Sequence, residues 1–158
     1  MADEPEIIDP IPLHEMLGLE FERPEFGERT ADVSMPVRRE AFGFTGNLHG
    51  GAIATLVDLS CALAAAQFSG FDPMKESLVT ADMHVRYLGR PKAEKVVARS
   101  EVVKIGSQLI VVECKVIGGT NDDGEDHVIA VADFSMMKVP VRRPLSPDIV
   151  VEPGDPEL

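Results

Sequence analysis

Apolar and polar positions along this 158-residue chain follow two different periods. From Gly51 to about Ser69 the run GAIATLVDLSCALAAAQFS is Ala- and Leu-rich, lacks proline and is far longer than a strand, which predicts a helix. Apolar residues occupy nearly every face of it, so burial all round is expected. Gly70 and Pro73 end it. One charge stands inside: Asp58 is the only Asp, Glu, Lys or Arg from Gly51 to Phe71.

Elsewhere the period is two. Ala31, Val33 and Met35 alternate with polar neighbours in TADVSMPV, and LEFERPEF before it reads as a second extended segment. The segments 77–88, 95–105, 107–117 and 127–137 are rich in Val, Ile and Thr and read as strands. Gly89 with Pro91, Gly106, and the loop GGTNDDGED at 118–126 separate them. IPLHEMLG at 11–18 predicts a short helix, and RREAFGFTGN at 38–47 a loop. The order is short helix, two strands, long helix, four strands. That is an α+β layout, with an antiparallel sheet wrapped around one long central helix. The expected division is a flexible acidic leader at 1–10, one domain at 11–139 and a proline-rich arm at 140–158. One helix covers only part of such a sheet, so at least a dimer is expected.

A net charge of −12 argues against nucleic acid and against anionic membranes as partners. The acidic, proline-interrupted start is no signal peptide. No apolar run is expected to approach the roughly 20 residues of a membrane span. Cys61 and Cys114 form no C-x-x-C pair and read as buried free thiols in a reducing compartment, so a cytoplasmic protein is expected. His14, His84 and His127 are scattered, with no short ligand spacing, so no metal site is expected.

Four features together carry a resemblance: Gly46, the HGG at 49–51, Asp58 nine residues after His49, and TADMHVRYLGRPKA at 80–93. With them the chain resembles the hotdog-fold acyl-CoA thioesterases, most nearly the phenylacetyl-CoA-degradation type. The resemblance spans roughly residues 12–138. It implies a hotdog fold, hydrolysis of an acyl-CoA thioester to a free acid and coenzyme A, and an active site across a homodimer interface within a dimer of dimers. No cofactor is implied, since coenzyme A is part of the substrate. The family often carries Asn or Gln six residues before the HGG histidine to polarise the carbonyl. Here that position is Gly43: either Asn47 nearby substitutes as a substrate contact, or backbone amides carry the load, or the substrate differs.

Burying a lone carboxylate costs several kcal/mol unless it is paired or protonated. Asp58 either reaches solvent on a helix face or has a chemical use, as nucleophile on the thioester carbonyl or as general base for water. Gly50 and Gly51 open the helix, where the first amides lack internal partners and the dipole is positive, so they suit a developing oxyanion. They also suit a tight turn. Gly50 and Asp58 are eight residues apart, about 12 Å along a helix. One carbonyl carbon cannot touch both, so the pair must come from two subunits.

His49 is expected to cap or orient the loop, and Thr80 to hold Asp58 or the attacking water. Between 86 and 104 six basic residues face two acidic ones. Of these, Arg90 and Lys92 sit at a strand end where the resemblance places the nucleotide, and such side chains pair with phosphates. Gly106 and Ser107 are weaker candidates for pantetheine or phosphate. The competing reading keeps the fold and the ligand without the chemistry, as an acyl-CoA-binding regulatory domain. The hydratase pattern on this fold, a catalytic His paired to an acid elsewhere, is not found.

Overall fold

The computed structural model describes residues 11–22, 25 and 27–141. The leader at 1–10 and nearly all of the arm at 140–158 lie outside them. The elements run α1 (Pro12–Leu17), β1 (Glu20–Glu22), β2 (Thr30–Pro36), a 3₁₀ turn (Arg39–Ala41), α2 (Gly50–Ser69), β3 (Glu76–Tyr87), β4 (Lys95–Ile105), β5 (Leu109–Thr120) and β6 (Asp126–Pro140). All strands pair antiparallel in one six-stranded sheet of order β1-β2-β4-β5-β6-β3, the α+β arrangement the pattern predicts. Two strands outrun their predicted ends. β5 continues through Gly118 and Gly119 to Thr120, which pairs with Asp126, so the predicted 118–126 loop shrinks to a short turn.

α2 lies across one face of the sheet and is not wrapped on all sides. Ala52, Ile53, Leu56, Val57, Ser60, Cys61, Ala64 and Ala65 are buried, the i, i+3, i+4 seam of a helix packed on one side. Opposite them the sheet presents Val33 and Met35, Val96, Ala98 and Val102, Ile110, Val112 and Val116, and Phe134, each nearly sealed from solvent. Truncating Phe134 to Ala would cost about 3–5 kcal/mol, the usual loss for a buried aromatic. The outward side of α2, including Ala54, Thr55, Asp58, Leu59, Ala62 and Leu63, is only half-buried. The expectation of burial all round fails here because a single chain supplies one apolar layer, not two.

At 20 residues, α2 is also long and apolar enough to pass for a membrane span, contrary to the expectation that no run approaches that length. Its seam against the sheet makes it a core helix. Among the described residues β3 is a sheet edge, paired only with β6, and it exposes Val79 and Tyr87, with Leu88 just beyond. A long edge strand beside a half-covered apolar helix face is a surface that further chain normally covers.

α1 starts with Pro12 in its first turn and ends at Gly18 in the left-handed conformation (φ 67°). Arg38 donates to the Glu15 and Met16 carbonyls at 3.1 and 2.7 Å, satisfying the helix end. This clamp holds Leu13 and His14 over the outer side of α2.

Candidate active site

The HGG sequence builds the start of α2. His49 is the N-cap, with extended backbone (φ −64°, ψ 135°), and its Nδ1 accepts the Gly51 N–H at 2.8 Å. That bond makes Nδ1 an acceptor and places the proton of the neutral ring on Nε2. A Cβ on Gly51 would stand 3.0 Å from this nitrogen, so the glycine makes room for the imidazole. Ala52 and Ile53 both donate to the His49 carbonyl, at 2.9 and 3.1 Å. Among the described residues, the Gly50 N–H is therefore the one first-turn amide left without a partner. Of the two glycines, Gly50 alone can offer its N–H to an incoming oxygen.

Tyr87, at the end of β3, donates its hydroxyl to the Gly50 carbonyl at 3.0 Å and packs its ring against the glycine. The Gly50–Gly51 peptide, next to the one that presents the free amide, is thus held from both sides, its carbonyl by Tyr87 and its N–H by His49. Sequence reasoning used Tyr87 only as a family marker; nothing in its residue type announces this bond. The loop before the helix is closed by the Gly43 N–H on the Asn47 carbonyl at 2.7 Å and by a Phe42–Leu48 bridge. A Cβ on Gly43 would lie 3.3 Å from both Cα and Cδ2 of His49, so the histidine crowds the side where a longer residue would start.

Asp58 lies in the third turn of α2, half-buried on its outward side. Thr80 of β3 donates its hydroxyl to Asp58 Oδ1 at 2.9 Å, the one side-chain donor to Asp58 among the described residues. The register of β3 against β6 slips between Thr80 and Asp82, a bulge beside the residue that bonds Asp58. Bulges re-aim side chains in this way, and no alternation pattern forecasts them. A cleft of about 400 Å³ opens over Asp58, walled by Leu13, His14, Thr55, Leu59 and Met83. A second, of about 210 Å³, adjoins it over His49 and Gly51, and Leu13 and Thr55 line both. The surroundings are apolar walls with few polar groups, the composition of a small-molecule site.

Cys61, less than one turn beyond Asp58, is no competing nucleophile. Its Sγ lies 3.4 Å from Ser100 Oγ, and the adjacent Cys114 thiol together with burial pushes the Cys61 thiol far up. Both cysteines are buried and free, as expected. Among the described residues no group of three His, Cys, Asp or Glu side chains could hold a metal.

The remaining predicted residues fall at opposite ends of the sheet. Arg90 and Lys92 stand in the β3–β4 connection, just beyond Tyr87 and so beside the start of α2. Lys92 Nζ donates to Asn121 Oδ1 at 3.2 Å. Gly106 and Ser107 form the β4–β5 turn, where Gly106 N–H donates to the Leu109 carbonyl at 2.7 Å. Leu109 pairs with Met137 and Tyr87 with Ala130, so within one chain this turn lies at the far end from Gly50. A Cβ on Gly106 would stand 2.9 Å from the Leu109 carbonyl oxygen, and the turn itself requires the glycine. Gly50 and Asp58 remain about 12 Å apart on their common helix, so one chain does not bring the free amide and the carboxylate together.

The thioesterase superfamily model matches residues 45–125, the stretch that holds His49, Gly50, Asp58, Thr80 and Tyr87. The chain belongs to the thioesterase superfamily. A thioesterase family protein from Silicibacter pomeroyi is 28% identical and superposes with a TM-score of 0.69, over 82% of this chain and 90% of that one. A thioesterase from Pseudomonas aeruginosa is 25% identical with the same TM-score, over 82% and 86%. These superpositions identify the antiparallel sheet and long helix of this superfamily member as the hotdog fold. A candidate esterase from Halobacterium salinarum is 34% identical over 87 residues. The match spans 54% of this thioesterase-superfamily chain and 56% of that relative, about half the length of each.

Proposed function

We propose that the protein hydrolyses acyl-CoA thioesters, and that its active site forms between two copies of the chain. The observation that carries this reading is the unpartnered Gly50 N–H at a positive helix start, 12 Å or so from a carboxylate that its own chain cannot bring nearer. A two-fold mate placed against the exposed β3 edge and the outward side of α2 supplies the missing group. Gly50 of one copy then donates to the thioester oxygen while Asp58 of the other faces the carbonyl carbon.

In that arrangement the developing oxyanion receives the Gly50 amide and the partial positive charge of the helix end, in a site walled by apolar groups. Asp58 attacks the carbon or takes a proton from the water that does. Either way the tetrahedral centre collapses with expulsion of the coenzyme A thiolate, a good leaving group; where Asp58 itself attacks, water then cleaves the acyl anhydride to the free acid and restores the carboxylate. Thr80 fixes the Asp58 carboxylate so that its second oxygen points to the cleft. His49 is a positioning residue: it holds Gly51 and leaves Gly50 free. The acyl group takes the apolar clefts beside Leu13 and Met83. Arg90 and Lys92 meet the phosphates of the nucleotide, with Asn47, Gly51, Gly106 and Ser107 along the pantetheine path.

The test is free-thiol release from a panel of acyl-CoA thioesters by the native protein and by Asp58→Asn. The native protein is expected to turn over at least one class and the variant to lose nearly all of that rate while remaining folded. Binding of acyl-CoA without thiol release by the native protein would establish the regulatory reading instead, and unchanged turnover in the variant would remove Asp58 from the chemistry.

A further inference from the structure

His127 has no part in the reaction described above, yet it sits in a built polar cluster. Its Nε2 lies 2.9 Å from the Arg90 carbonyl and its Nδ1 3.1 Å from Asn121 Oδ1; both oxygens only accept, so a neutral ring donates to one of them at a time and only the imidazolium donates to both. Lys92 Nζ donates to that same Asn121 oxygen at 3.2 Å. An ammonium only donates, so Lys92 fixes which end of the Asn121 amide faces it. Asn121 is anchored in turn through its own N–H on the Glu125 carbonyl at 2.8 Å. The backbone completes the join: Lys92 and Ala93 N–H donate to the Gly118 carbonyl at 2.7 and 3.1 Å, and Leu88 and Gly89 N–H to that of Ile129 at 2.8 and 3.2 Å. A Cβ on Gly118 would lie 3.0 Å from Pro91 Cα and 2.8 Å from Ile129 Cγ2, so the two segments touch without a side chain between them.

The β5–β6 turn therefore clasps the exposed connection that carries Arg90 and Lys92. We propose that His127 and Asn121 are positioning residues for substrate phosphate recognition: His127 pins the main chain at Arg90, and Asn121 holds the Lys92 ammonium in place. A flexible cation loses freedom when it grips a phosphate, and one already held loses less, so the latch raises affinity without touching the ligand. This rests on the reading of Arg90 and Lys92 as phosphate contacts. It concerns binding of the nucleotide only, since the reacting groups lie elsewhere.

The experiment compares an acyl-CoA with the same acyl group on pantetheine, which lacks the nucleotide, using the full chain. Arg90→Ala and Lys92→Ala test the phosphate reading; His127→Ala, His127→Gln and Asn121→Ala test the latch. His127→Ala and Asn121→Ala are expected to raise KM for the acyl-CoA about fivefold to tenfold, the scale of one ordinary hydrogen bond, with kcat nearly unchanged. KM for the acyl-pantetheine should not move. His127→Gln keeps an N–H donor for the Arg90 carbonyl and should recover most of the loss. If Arg90→Ala and Lys92→Ala lose acyl-CoA selectively while the His127 and Asn121 variants do not, the latch is refuted and the phosphate reading stands. If Arg90→Ala and Lys92→Ala themselves show no selectivity, both fall. Equal losses on the two substrates in the His127 variants would mark a merely structural role and also overturn the proposal.

Discussion

Two inactive proteins should make an active one. Gly50→Pro deletes only the free N–H: the first helical position tolerates proline, and the extended His49 backbone is what a residue before proline prefers. A Cβ there meets Tyr87 at ordinary contact distance, 3.5 Å from its Cζ. Removing one oxyanion donor lowers kcat by about 10²–10³, so this parent should retain 1% or less. Asp58→Asn, which keeps shape and removes the charge, should be equally poor. After subunit exchange at equal concentration, half of the dimers are hybrids. Each hybrid has two interfacial sites, one carrying both lesions and one carrying neither. The mixture should therefore recover about a quarter of native activity if the site is shared within a two-fold dimer. Were Gly50 and Asp58 to act within one chain, every hybrid site would carry a lesion. The assay is thiol release from an acyl-CoA, with native mass spectrometry to count hybrids. Activity no higher than the mean of the parents, in a sample with hybrids demonstrably present, would refute the two-chain site.

Thr80→Val removes the 2.9 Å hydrogen bond to Asp58 while keeping the branched shape; kcat should fall about tenfold to a hundredfold, the value of a hydrogen bond to a charged group, and a rate within twofold of native would refute a holding role. Tyr87→Phe frees the Gly50 carbonyl from its 3.0 Å bond and should cost about threefold to tenfold in kcat, with a crystal structure expected to show the helix start displaced or more mobile. Lys95 bonds Glu20 at 2.7 Å and holds its carboxyl below the ordinary 4.5. Glu20 is thus lowered on folding, so the pair contributes above that value and loses its contribution as pH falls through the folded one. The small Tm gap between native protein and Lys95→Met should close as pH falls below about 4.5, and a gap that widened in acid would refute the assignment.

Much of the layout was legible because it rests on two periods. The apolar run from Ala52 to Ala65 had to be a helix, and alternation at Ala31, Val33 and Met35 had to be a strand with that face inward. The extent of burial was not legible from α2, since a helix apolar all round reads the same whether its second cover comes from its own chain or another. Nor could the bulge beside Thr80 be read, because it displaces the register without changing the kinds of residue on either side. The HGG spacing pointed to the helix start but did not separate its two glycines; only the Gly51 bond to His49 does that. His127 looked like one of several scattered histidines because Arg90, Asn121 and His127 meet only after β5 and β6 have paired.

A single charge in the most apolar helix follows from where α2 turns its faces. Ser60 and Cys61 point into the sheet and are sealed, whereas Asp58 and Leu59 point away from it. In one chain the outward side is half wet, so the carboxylate is tolerated with a single fixed donor, Thr80. Covering that side with a second copy removes water from Leu59, Ala62 and Leu63, which is favourable by about 25 cal/mol for each Å² of apolar surface buried. The same step strips water from Asp58, which is unfavourable for a charge with one hydrogen bond. In the proposed dimer, apolar burial along the rest of the helix and the β3 edge would offset that cost, and the assembled site would inherit a carboxylate with few hydrating partners beside an amide with none. Charge and amide are each poorly satisfied in the separate chains, and a thioester carbonyl placed between them satisfies both. If the site is shared as proposed, the apolar helix is what makes the charge useful: association driven by Leu59 and its neighbours would deliver Asp58, desolvated and oriented, to Gly50 of the other copy.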